Sequence, residues 1–163
     1  MAFSFQASES IGASPITQVD DAARHTIGTI MPASDPVLGA GEFIYLPGVV
    51  GVVLGTLVDY NLLAGTVTIT PATGGTGPVA VAMAATVAGK FGWYQIAGVA
   101  TVLAPNAMVV GADCYMVSAG RVDDAVVANE GILSMKALST TGVPSAGLAR
   151  VSMNRPTHGI TTP

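Results

Sequence analysis

GKFGWYQIAGVATVLAPNAMVVGADCYMVSAGRVDD, residues 89–124, holds the only tryptophan and the only cysteine of the chain, and its reading decides the fold. Residues 91–103 are dominated by aromatic and β-branched side chains, which predicts a strand. Gly98 sits inside that run, where glycine marks a bend, a bulge or a close backbone approach. Pro105-Asn106 breaks the run as a turn. Residues 112–117 read as the next strand, and Ala119-Gly120-Arg121-Val122 is the clearest hairpin signal in the chain. Trp93 and Tyr94 supply the largest anchoring surface in the segment.

The same grammar occurs once earlier, in residues 43–69. Aligned on glycine, Gly48 matches Gly98, Tyr60 matches Tyr115 and Ala64-Gly65 matches Ala119-Gly120. Such a match reads either as a degenerate duplication or as the echo that any glycine-rich β-protein shows. Further strands are expected at residues 24–31, 42–46, 49–54, 56–60, 66–70, 131–138 and 147–153, the last stopped by Asn154-Arg155-Pro156. In residues 79–87 the alanines suit a helix and the valines a strand; the alternation of Val79, Val81 and Met83 favours the strand. The fold class is therefore all-β: a single-domain antiparallel β-barrel or sandwich over residues 22–156. An extended N-terminal arm, residues 1–21, precedes it and a polar tail, residues 157–163, follows. The arm carries isolated Phe3 and Phe5 among small polar residues. It reads either as a frayed terminus or as a segment that orders on a neighbouring subunit.

Composition narrows the function. Of 163 residues 50% are apolar but only 6% aromatic, with 20 glycines and 10 prolines, which favours short strands and tight turns over long helices. Charged residues are 10% of the chain against roughly 25% in ordinary soluble domains. Residues 43–58, 60–89 and 91–112 carry no charge at all. A surface so short of charge suits a membrane or an assembly that covers it. Prolines 47, 71, 78 and 105 cut the apolar runs well below the roughly 20 residues of a spanning helix, so a membrane is not expected and assembly is. Six scattered basic residues and a net charge of -4 do not make a nucleic-acid surface. Residues 1–20 lack a basic region followed by a continuous apolar core, so synthesis in the cytoplasm is the expectation.

Catalytic patterns are not expected to emerge from these residues. The glycine-rich loop TPATGGTGP, residues 70–78, fails as a phosphate cradle: Gly89-Lys90 has Ala84 where a P-loop needs glycine and Phe91 where it needs Ser or Thr. Cys114 lies in an apolar strand and reads as a buried thiol. His25 reads as a hydrogen-bonding histidine, His158 falls in the tail, and Asp123-Asp124, with only Glu130 near in sequence, read as turn residues rather than a metal site. The expectation is a non-enzyme with neither metal nor cofactor.

Several stretches together resemble a known family. They are residues 77–83 (GPVAVAM), 91–98 (FGWYQIAG) and 119–125 (AGRVDDA), then Leu148-Ala149 through Asn154-Arg155-Pro156, with His25-Thr26-Ile27-Gly28 and residues 41–46 (GEFIYL) in the same pattern. Over about residues 24 to 156 the chain resembles the head decoration, or capsid cement, proteins of tailed bacteriophages. The resemblance implies a compact β-structure on the outer surface of an icosahedral capsid, where it stabilises the shell. Its partners would be the major capsid protein and other copies of itself, a homo-trimer being favoured. Candidate capsid-binding residues are Phe3 and Phe5, then Trp93 and Tyr94. The alternative is a tail, fibre or head-fibre component that binds a host receptor; a small enzyme or ligand-binding module ranks below both.

Overall fold

The computed structural model describes residues 4–5 and 15–159, and the regular structure in them is β throughout. In chain order the strands are β1 (Ser4–Phe5), β2 (Val19–Asp20), β3 (Ile30–Asp35), β4 (Gly39–Pro47), β5 (Leu57–Asn61) and β6 (Thr66–Ile69). They continue as β7 (Gly77–Ala82), β8 (Phe91–Leu103), β9 (Asp113–Ser118), β10 (Arg121–Asp123), β11 (Gly131–Ala137) and β12 (Leu148–Gly159). All pair antiparallel in one connected sheet. The sheet does not close into a barrel, so the chain is the sandwich-like alternative, a single all-β domain.

β8 is the axis. Its first half pairs with β4 on one side (Ile44 opposite Tyr94) and with β7 on the other (Ala82 opposite Tyr94). Its second half pairs with β12, from Val99 opposite Ser152 to Leu103 opposite Leu148. β12 then leaves β8 and crosses to β7, placing Thr157 opposite Pro78 and His158 opposite Gly77. Three strands thus exchange partners around a common centre, and three wings leave it: β4-β3-β1, β5-β6 and β11-β9-β10.

The exchange depends on bends in two long strands. In β8 the bend is at Gly98, whose φ of 98° suits glycine and few other residues. A Cβ there would come within 2.5 Å of the Ala40 carbonyl oxygen. Beside it the buried amide of Gln95 donates from Nε2 to the carbonyls of Ala97 and Val99, at 3.0 and 3.1 Å, supplying donors that the kinked ladder does not. In β12 the bend is at Arg155, with φ 47°, across from Ser134 of β11 with φ 62°, where the β11–β12 register shifts between Leu133 and Met135. The Arg155 guanidinium is anchored on Glu42 at 3.0 Å.

Both faces of the central strands are buried, in three packed clusters. β4 sends Phe43 and Tyr45 into an aromatic cluster with Trp93 and Ile16, and Ile44 and Leu46 into a second with Tyr94, Ile96 and Val52. β7 gives Ala80 and Ala82 to that second cluster and Val79 and Val81 to a third, which contains Val102, Cys114, Met116 and Val151. Near-continuous apolar runs such as 79–82 follow from this double burial, as they do in parallel sheets covered on both faces.

The structure corrects several expectations. Residues 24–31 are not the first strand; β3 begins at Ile30 and takes in Pro32, which is tolerated because, among the described residues, β1 pairs along the outer edge with Ala33 and Ser34 and not with Pro32. Residues 49–54 form a turn-rich connection, with Gly51 within it and Gly55 just after it at positive φ; Val52 is buried in the second cluster and Val49 packs against it. β7 stops at Ala82 instead of continuing to residue 87. Asn154-Arg155-Pro156 bends the last strand instead of ending it, so residues 157–159 belong to β12 rather than to a tail. The proposed duplication fails at its first correspondence, since Gly98 lies within β8 while Gly48 follows the end of β4.

The arm is likewise shorter than expected. Ile16 is buried, β2 pairs with β8, and the buried Asp20 carboxylate accepts from the Tyr45 hydroxyl at 2.7 Å and the Gln18 amide at 2.9 Å and meets the Arg24 guanidinium at 3.1 Å. Residues 15–21 are therefore part of the domain. Burial, with the Asp20 carboxylate adding to it, pushes the Tyr45 phenol up to about 12.

Candidate functional site

Of the four residues picked from the sequence as capsid contacts, Trp93 and Tyr94 lie in the core. Trp93 is 1% exposed, its ring edge-on to Tyr45 at 5.1 Å between centroids and 5.2 Å from the ring of His25. Tyr94 is fully buried, and burial pushes its phenol up to about 12. Both are core residues of β8 and offer no face to a partner. Phe3 lies outside the described residues, and Phe5 occupies a β1 position opposite Ala33.

The carboxylates also separate. Asp123 accepts from the Asn106 amide at 2.6 Å and the Asp124 backbone N–H at 2.8 Å, and Asp124 accepts from the Val109 N–H at 2.7 Å. Burial alone would raise the Asp123 carboxyl; those donors and the Ala125 N–H outweigh it and hold the group below its ordinary value. This is turn chemistry, as the spacing suggests. Glu130 points elsewhere, to the His158 ring at 2.9 Å and the Gly74 N–H at 3.0 Å. His158, assigned to a tail by sequence, is buried. Among the described residues no group of three or more His, Cys, Asp or Glu is placed to hold a metal ion, and no helix is long and apolar enough to cross a membrane.

Cys114 is buried in β9, and burial, assisted by the carboxylates of Asp113 and Asp124, pushes its thiol up to about 12. Because the thiolate is the reactive form, native protein at about pH 8 is expected to leave an aromatic disulfide reagent unreacted while the urea-unfolded chain reacts fully. A native rate within about tenfold of the unfolded rate would contradict this placement.

What the surface does present is apolar side chains on loops that are themselves held in place. Val50, 74% exposed, and Val53 and Leu54 project from the β4–β5 connection, which is fixed by Val49 N–H on the Thr86 carbonyl at 3.1 Å and Gly55 N–H on the Ala82 carbonyl at 2.9 Å. Val109 and Val110 project from the β8–β9 connection, fixed by the Asp124 carboxylate and by Gly111 N–H on the Ala137 carbonyl at 2.8 Å; Val126 is 68% exposed just beyond Asp124. Leu63, at the β5–β6 hairpin, is fully exposed. Residues 48–56, 62–65 and 104–111 contain no charged side chain. A cleft of about 350 Å³ beside Gly98 has Glu42 and Arg155 as its charged lining, already paired with each other.

No protein-family model matches the chain, and neither a curated protein nor a solved structure matches it significantly.

Proposed function

We propose that the chain is a structural virion protein that binds the outer surface of an icosahedral phage capsid and stabilises it. The observation that carries this reading is the set of large apolar side chains, led by Val50 and Val109, held outward on pinned, charge-free loops, with exposed Val126 close by just beyond Asp124. A soluble monomer gains nothing from such side chains, whereas an assembly that covers them gains about 1.5 kcal/mol or more for each valine fully buried. Pinned loops also lose little freedom on docking, which favours affinity. The partners in this reading are the major capsid protein and further copies of the chain, with a trimer favoured, and many weak contacts add up through multivalency. A non-enzymatic role fits the same surface.

Two measurements test it. The copy number in purified particles, by quantitative mass spectrometry, is expected to be a simple fraction of the shell protein. A few copies per particle would instead favour a tail or fibre component, and absence from particles would sink the virion reading. The double substitution Val109→Ser with Val126→Ser is expected to change folding stability by less than about 1 kcal/mol, because both side chains are exposed. It should weaken binding to purified shells by about tenfold or more. Unchanged binding would remove this face from the interface.

A further inference from the structure

We propose that the buried pair of Glu130 and His158 is a proton-sensitive clasp that fastens residues 71–76 and the far end of β12 to the sheet, and releases them in mild acid. His158 sits near the end of β12, between Ile132 of β11 and Gly77 of β7, with a fully buried side chain. Its Nε2 lies 2.9 Å from one Glu130 oxygen, while the other accepts the Gly74 N–H at 3.0 Å. Glu130 is itself fixed by the backbone, its N–H on the Val127 carbonyl at 3.1 Å and its carbonyl on the Met116 N–H at 2.9 Å. One carboxylate therefore ties together the turn before β11, the β6–β7 loop and the end of β12.

The other ring nitrogen makes the clasp sensitive to protons. His158 Nδ1 is buried without a hydrogen-bond partner, and Gly75 packs against it so closely that a Cβ there would overlap the ring. With one proton on the Nε2 side the Glu130 contact is made, and the bare Nδ1 is a neutral acceptor without a donor, the less costly kind of orphan. A second proton converts Nδ1 into a buried cationic donor with no acceptor, the costlier kind of orphan. Attraction to Glu130 holds the Nε2 edge of the ring and does nothing for Nδ1, so proton uptake is met by movement of Gly75 that lets water in.

The other groups facing the ring do not supply the missing acceptor. From β5, Asp59 accepts the Thr70 hydroxyl at 2.8 Å; burial raises its carboxyl, against the lowering effects of that bond and of His158. Tyr60 adjoins it and packs into the second cluster. β7 and residues 71–76 contain no titratable side chain. On β11, Lys136 is paired with Asp113 at 2.8 Å; on β9, Tyr115 is placed opposite Gly131; and Arg155 is held by Glu42.

The test is backbone amide exchange followed by NMR on the full chain at about pH 7.5 and about pH 5.5, on either side of the ordinary imidazole range and after correction for intrinsic exchange. Gly74 and residues 157–159 are expected to lose about tenfold or more of their protection at the lower pH while β8 keeps its own, and His158→Gln is expected to abolish that step. An unchanged wild-type pattern, or the same step in His158→Gln, overturns the proposal. If that variant fails to fold, imidazole ¹⁵N spectra of the wild type decide. A neutral Nε2–H ring near pH 7.5 whose titration carries the Gly74 amide with it supports the clasp. A doubly protonated ring with Gly74 still protected overturns it.

Discussion

Gly98→Ala is expected to destabilise the fold by about 3 kcal/mol or more, the sum of a strained backbone and a backbone collision. At φ 98° an L side chain is unfavourable, and the added Cβ would lie 2.5 Å from the Ala40 carbonyl oxygen and 2.9 Å from Gly41 Cα. Neither neighbour is a flexible side-chain tip, because both belong to the β4 backbone that pairs with β8. Relief requires the two strands to part where β8 changes partner. Gly89→Ala is the control, since Gly89 has φ 78° but open space around its Cβ position. It should cost about 1 kcal/mol, the backbone strain alone. Urea unfolding of both variants measures the difference, and equal losses would show that the close approach at Gly98 is not a constraint.

Trp93→Ala is expected to cost about 3–5 kcal/mol, the usual loss for a buried large aromatic, and to lower Tm by about 10 °C in a domain of this size. The indole is walled by Tyr45 and His25, and its cluster includes Ile16 and Phe43. Its removal leaves a cavity between β4, β8 and the segment that carries β2. Residues 15–25 should therefore loosen first, visible as exchange at the Arg24 N–H, which donates to the Tyr45 hydroxyl at 3.2 Å. A loss below about 1 kcal/mol would mean that the cluster collapses onto the gap.

The parts of this fold legible in the sequence are those fixed locally. Ala119-Gly120 makes the tight turn between β9 and β10, Gly120 having φ 70°, and residues 91–103 form the strand they suggest with its bend at Gly98. Where partners decide, sequence is a poor guide. Residues 49–54 have the apolar content of a strand, yet only Val49 and Val52 turn towards a core and the glycines turn the chain. Pro32 and Arg155 look like stops, but an outer edge absorbs one and a paired bend the other. Trp93 and Tyr94 illustrate a different ambiguity: a large aromatic anchors a core by the same burial that anchors an interface, so residue type alone cannot tell which. The Glu130–His158 contact joins residues 28 apart through the β11–β12 register, and no local pattern announces it. Gln95 gives equally little signal, since its role is to donate to carbonyls exposed by a bend that exists only in three dimensions.

The partner exchange among β7, β8 and β12 constrains how the chain comes off the ribosome. The third cluster needs Ala149, Val151 and Met153, and β12 must reach His158 before β7 and β11 are bridged. A nascent chain stopped after β9 or β11 would hold Val79, Val102 and Met116 without the packing of Ala149, Val151 and Met153 and with an unpaired edge along the second half of β8. Such edges and apolar surfaces recruit one another. Closure therefore waits on the last strand, and pairings this distant in sequence form slowly. The interval between emergence of β8 and of β12 is when the chain is most exposed to aggregation and proteolysis.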